Sequence, residues 1–154
     1  MNEAEKQTNT IEMLADHELA IGRLYKTYAE KFPYYKDFWL ALSAEETQHA
    51  NWINELQSKI EQGSIRFNPD RFQIPAIQHS LNYAQKMLAR AQESDIDLIS
   101  ALSTASSIED ALIENRFFEI FEADSAQLKE TLRRLAQATE DHRRRILKVK
   151  EENK

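Results

Sequence analysis

The sequence predicts an all-α protein, and three features of its composition carry that expectation. Only two glycines and three prolines occur in 154 residues. Strands and tight turns consume both residue types, whereas long helices exclude them. Ala, Leu, Ile, Glu, Lys, Gln and Arg dominate the remainder, all of them compatible with helix. There is no cysteine, so disulfides, thiolate zinc sites and Cys-ligated iron–sulfur centres are excluded. Any metal must then be held by oxygen and imidazole nitrogen.

The length suits one domain, residues 1–154, with a core of its own. The formal charge of −6 speaks against nucleic acid as a partner. No apolar run approaches the roughly 20 residues that span a bilayer, so no membrane segment is expected. Residues 1–10 are polar and lack the apolar centre of a signal peptide. A cytoplasmic protein is the expectation.

Four long helical segments and a shorter one follow from periodicity and punctuation. Residues 1–8 read as a flexible tail. The first long segment runs from about Asn9, with Glu12 three residues on as a capping pair, to Lys31 before Pro33. The second runs from about Tyr34 to Gln62 and stops at Gly63. Residues 64–74 hold Pro69 without a clean period and read as loop. Pro75 suits a helix start, and a shorter helix follows to about Gln92. Ser94 and Asp95 cap the next segment, which extends to about Glu122. Asp124 and Ser125 open the last one. Up-and-down bundles use short loops. A connection over residues 64–93 with its own helix therefore predicts a four-helix bundle with one long crossover between its second and third helices.

The apolar lines of the long segments are each interrupted near the middle. The first reads Ile11, Leu14, Glu18, Ile21, Tyr25, Tyr28, and the second Trp39, Leu42, Glu46, His49, Ile53, Leu56, Ile60. The third reads Leu98, Leu102, Ala105, Glu109, Leu112. The fourth reads Leu128, Leu132, Leu135, Thr139, His142, Ile146, Val149. Taken singly, Glu18 reads as a solvated helix residue, His142 as a hydrogen-bonded core histidine, and Glu46–His49 as a chance spacing. Together they fall at comparable height around the two turns. Buried carboxylates repel one another and are costly without a counter-charge. A divalent cation is the simplest partner that reverses the sign. Glu46 and His49, three residues apart, leave one helix face and can reach one ion. The metal candidates are thus Glu18, Glu46, His49, Glu109 and His142, in a donor set suited to iron, manganese or zinc.

These residues carry a resemblance. The stretches ELAIGRLYKTYAEKFP (18–33), FWLALSAEETQHANWINEL (38–56), ALSTASSIEDALIENRFFEIF (101–121) and LRRLAQATEDHRRRIL (132–147) resemble the four helices of the rubrerythrin branch of the ferritin-like superfamily. The resemblance implies a carboxylate-bridged di-iron site that reacts with peroxide or oxygen. Glu18 and Glu109 would be terminal ligands, Glu46 a bridge, and His49 and His142 would each complete one metal. It also implies a homodimer. The chain departs from the family at Thr139, where a second bridging Glu is wanted three residues before His142. Glu140 points about 100° away on an ideal helix; Asp110 and Glu114 are other spare acids, of which Glu114 could swing in. A one-metal or altered site is the alternative. No Cys-x-x-Cys electron-transfer module is present, so electrons would come from an external donor. Tyr25 could hydrogen-bond a ligand, quench an oxidised metal or fill the core. Phe38, Trp39, Phe117, Phe118 and Phe121 read as core or dimer contacts. The basic run Arg143–Arg145 with Lys148 and Lys150 reads as favouring a helix C-terminus, with an acid-binding patch as the alternative. His17 and His79 read as peripheral. A metal-storage protein without turnover and a metal-free interaction module are the competing functions.

Overall fold

The computed structural model describes residues 2–63, 74–114 and 126–154. Five α-helices and one 3₁₀ turn account for nearly all of them, with no strand among the described residues. No helix there is long and apolar enough to cross a membrane.

Helix α1 spans Glu3–Lys31. Asn2 is its cap, the side-chain Oδ1 accepting from the Glu5 amide at 2.8 Å. The start therefore lies before the Asn9–Glu12 pair, and the stretch expected as a tail supplies the cap and first turns. A terminal Asn capping an orphan amide explains the earlier start. The chain then turns through Pro33–Tyr35, a 3₁₀ segment, into α2, Lys36–Glu61. Beyond α2, Gly63 adopts φ +76° and its amide donates to the Ile60 carbonyl at 3.0 Å. That is the left-handed closure glycine allows at little cost.

Helix α3 spans Ile74–Glu93 and α4 spans Leu98–Glu114. The cap of α4 is Asp97, which accepts from the Ser100 amide at 2.7 Å. It is not Ser94 or Asp95, because only Asp97 sits immediately before the first helical residue. Helix α5 spans Ala126–Glu152. Of the loop expected at 64–74, Ile74 instead opens α3; the rest of it, the end of the third long segment beyond Glu114, the opening pair Asp124 and Ser125, and Phe117, Phe118 and Phe121 lie outside the described residues.

Cross-helix pairs give the directions. Gly22 meets Ser43 and Tyr28 meets Trp39, so α1 and α2 are antiparallel. The hydrogen bonds His17–Ser80 and Lys31–Ser94 share one separation of 63 residues, so α3 runs parallel to α1. Tyr25 pairs with Glu109 and Tyr28 with Thr104, which sets α4 antiparallel to α1. Glu46 pairs with His142 and Tyr35 with Asn153, which sets α5 antiparallel to α2. Helix α3 thus travels from the end where α2 stops to the end where α4 begins. The pair α4/α5 packs on α1/α2, with α3 alongside α1.

The apolar lines turn inward. Ile11, Ile21, Leu24, Trp39, Leu42, Leu102, Ala105, Leu135 and Ile146 are fully enclosed, and Phe38 packs partly buried against this core. His17, read as peripheral, is instead 1 % exposed. It sits on the α1 face covered by α3, where its Nε2 lies 2.9 Å from Ser80 Oγ. The face of α1 that the crossover helix covers was not legible in the sequence. His79 is exposed.

Candidate metal centre

Each long helix other than α3 brings polar groups into one buried space. Helical spacing places Glu18 and Tyr25 on the inner face of α1 and Glu46 with His49 on that of α2. Glu109 comes from α4 and His142 from α5. All six are buried.

Glu46 is the centre of the cluster. Its Oε1 lies 2.9 Å from His142 Nδ1, and its Oε2 lies 3.4 Å from His49 Nδ1. His49 Nδ1 is also 3.9 Å from Glu18 Oε2, and His142 Nδ1 is 3.5 Å from Glu109 Oε1. Two ligand-like groups result, Glu18–Glu46–His49 and Glu46–Glu109–His142, each with its donor atoms within 4.8 Å of one another. They share Glu46. The imidazoles stack across the shared carboxylate, with ring centres 5.2 Å apart and planes 24° apart. Tyr25 donates its hydroxyl proton to Glu109 Oε1 at 2.8 Å.

Several polar atoms here have no hydrogen-bond partner among the described residues: Glu18 Oε2, Glu46 Oε2, Glu109 Oε2 and His142 Nε2. Buried polar atoms are nearly always satisfied, so their convergence is the main anomaly of the core.

Proton occupancy follows from the same crowding. Burial, reinforced by the neighbouring Glu46, pushes the Glu18 carboxyl up to about 8. Burial also acts to raise Glu46, but the close approach of Glu18, His142 and His49 outweighs it and holds Glu46 below its ordinary value. Burial would lower both imidazoles. The neighbouring Glu18 and Glu46 carboxylates instead raise His49 to about 10, and Glu109 and Glu46 raise His142 to about 11. Burial, then Glu109 and Glu46, raises the Tyr25 phenol well above its usual range. Without a cation, protons on Glu18 and the two imidazoles balance the carboxylates. A divalent ion would displace those protons and use the same donor atoms.

Thr139, Asp110 and Glu140 contribute nothing to the cluster. Thr139 Oγ1 donates to the Leu135 carbonyl within its own helix at 2.9 Å and supplies no charge. Asp110 and Glu140 are half-exposed and pair with Arg143. Glu114's side chain lies outside the described residues. Of the basic run, Lys150 lies in the last turn of α5 as expected, whereas Arg143 and Arg145 sit further inside the helix, Arg145 pairing with Glu45 at 2.8 Å and Asp141 at 3.0 Å. The surrounding acids supply the partners that the sequence alone could not assign to these arginines.

Glu45 is the site neighbour that sequence reasoning passed over. Its Oε1 lies 3.5 Å from His142 Nε2, while Arg145 holds the carboxylate and lowers its pKa against the opposing effect of burial. It lies one residue from Glu46, about 100° round an ideal helix. Nothing in α2 alone reveals that α5 meets that flank. The comparisons add no relative: no family model, no curated protein and no solved structure matches this chain.

Proposed function

We propose that this chain is a ferritin-like metalloprotein of the rubrerythrin type, which binds two divalent ions and reduces peroxide or oxygen with electrons from an external donor. One observation carries the reading: three buried carboxylates and two imidazoles converge on a shared Glu46, with one oxygen of each carboxylate lacking a hydrogen bond. Hard oxygen and borderline nitrogen donors suit iron, and also manganese or zinc. Glu18, Glu46 and His49 would hold one ion, and Glu46, Glu109 and His142 the other. The course of α3 along α1, from the end where α2 stops to the end where α4 begins, supports the ferritin-like arrangement, in which the chain crosses the bundle once. A homodimer and a cytoplasmic setting belong to the same reading.

A bound iron pair would supply reversible one-electron redox chemistry. The protein's own groups do the rest. Glu46 keeps the two halves in register, and Tyr25 holds Glu109 through its hydroxyl. The apolar shell of Leu42, Leu135 and Ile146, all fully enclosed, excludes water and strengthens every charge interaction inside.

A specific observation favours a second reading, a single ion or a storage role. With Thr139 turned onto Leu135, three carboxylates face two divalent ions, leaving net positive charge and a weaker second site. A third reading, a metal-free helical module, draws on the proton balance of the cluster. Elemental analysis of protein prepared without chelator separates these. Two ions per chain, both absent from Glu46→Ala, is the expected result. One ion that persists in His142→Ala would favour the second reading, and metal-free protein that cannot be loaded would leave the third.

A further inference from the structure

The buried cluster is joined to the surface by aromatic rings. Tyr25, hydrogen-bonded to Glu109, has its ring centre 5.5 Å from that of Trp39. Trp39 lies 5.0 Å from Phe38, Phe38 lies 6.5 Å from Tyr35, and Tyr35 lies 5.1 Å from Tyr34. Tyr34 is 91 % exposed. Core packing explains the inner rings, since Trp39 and Tyr25 are wholly buried. It does not explain why the series continues to a tyrosine standing almost entirely in water at the α1–α2 turn.

We propose that these five rings form a one-electron conduit, through which a reductant at Tyr34 supplies electrons to the buried carboxylate–histidine cluster. The role in turnover rests on the oxidising chemistry proposed above, but the conduit itself does not. An oxidising equivalent at the cluster takes one electron from Tyr25, whose phenolic proton passes to Glu109 Oε1. Trp39 then returns one electron to Tyr25, which recovers its proton, and Trp39 becomes an indole radical cation. Trp39 Nε1 has no hydrogen-bond acceptor among the described residues, so the oxidised indole keeps its proton and remains a strong oxidant. Phe38 is too hard to oxidise and acts as the bridge towards Tyr35 and Tyr34. Tyr34 gives up one electron to reduce Trp39 and releases its phenolic proton to bulk water. A one-electron donor, protein or small molecule, then restores Tyr34 with a proton from water. Two such passages and two protons convert one hydrogen peroxide into two waters.

Tyr28 is a side branch, 4.9 Å from Trp39. Its hydroxyl meets that of Thr104, which is no base, so an oxidised Tyr28 has no ready place to leave its proton.

The test uses metal-free full-length protein carrying Trp52→Phe, which leaves Trp39 as the single indole of a chain with two tryptophans. A laser flash at the red edge, where indole absorbs and phenol does not, photoionises Trp39 in the presence of a nitroso spin trap. Peptide mass spectrometry then locates the adduct. The expected result is an adduct on Tyr34 that falls to background in Trp39→Phe/Trp52→Phe and drops strongly in Phe38→Leu/Trp52→Phe. Circular dichroism and melting temperature establish that each variant is folded. Tyr34→Phe, at an exposed position, should move the adduct to Tyr35. The conduit is overturned if no adduct reaches Tyr34 or Tyr35, or if its yield is the same without Trp39. Metal content and peroxide consumption of the wild type are measured separately. Their failure would remove the redox function while the flash result still decides whether the rings conduct.

Discussion

Glu46 receives hydrogen bonds from the groups around it and carries the charge that both imidazoles answer. Glu46→Ala leaves two buried cations facing fewer anions, and breaking a buried ionic network in this way costs about 3–5 kcal/mol. Urea unfolding of chelator-treated protein reads that loss, and the same variant should bind no metal. Glu45→Ala acts one step further out. If Glu45 orients His142 through Nε2, as outer carboxylates orient metal-bound histidines, ion affinity at the Glu46–Glu109–His142 group should fall about 10–100-fold. The Glu18–Glu46–His49 group should be unaffected, a split that calorimetric titration resolves into two steps. The five candidate ligands were legible because each interrupts an otherwise apolar helical line. Glu45 and the His17–Ser80 pair were not, because their significance depends on which helix covers them.

At the scale of the element, α1 and α2 form the most extensively packed pair, and the glycine between them gives a sharp expectation. Gly22 lies mid-helix, and a Cβ there would sit 3.5 Å from both Glu46 Cβ and the Ser43 carbonyl oxygen, ordinary contact distances. Gly22→Ala should therefore stabilise the chain by about 0.5–1 kcal/mol through helix propensity. A drop in melting temperature would mean that the pair is tighter than these distances indicate. Trp39→Ala should cost about 3–5 kcal/mol, as large-to-small changes in enclosed aromatic positions do. Helix existence and inner faces were readable from period and composition. Starts were less so: Asn2 and Asp97 do the capping expected of Asn9 and of Ser94 with Asp95, because several cap-competent residues precede each helix and only the folded backbone selects one.

At the scale of the molecule, protons and a bound metal would compete for one set of atoms. The Glu18 carboxyl is raised from 4.5 to about 8. Its protonated form contributes stability present in full below pH 4.5 and lost as pH rises through about 8. His49 is raised from 6.5 to about 10, a contribution present below pH 6.5 and lost as pH rises through about 10. Both have the same sign, so the metal-free melting temperature should fall between about pH 6 and pH 10. Added ferrous or manganous ion should raise the melting temperature, by about 2.7 kcal/mol in stability at a hundredfold excess over Kd. That gain should grow with pH over the same window, because the ligands must first lose their protons. Scanning calorimetry at several pH values, with and without metal, checks both trends. A gain that shrinks as pH rises would count against these residues as ligands.

The sequence by itself determined that the chain is helical, which faces of its helices are apolar, and that acids and histidines interrupt those faces at matching heights. These are local properties, set by residue type and a 3.6-residue period. Only the tertiary structure decided that Glu46 is shared between two groups, that Thr139 turns back onto its own helix, that α3 covers His17, and that a row of rings links the cluster to Tyr34. Each of these depends on distances between residues far apart in the chain, and such distances are set by how helices cross and not by the order of residues within any one of them.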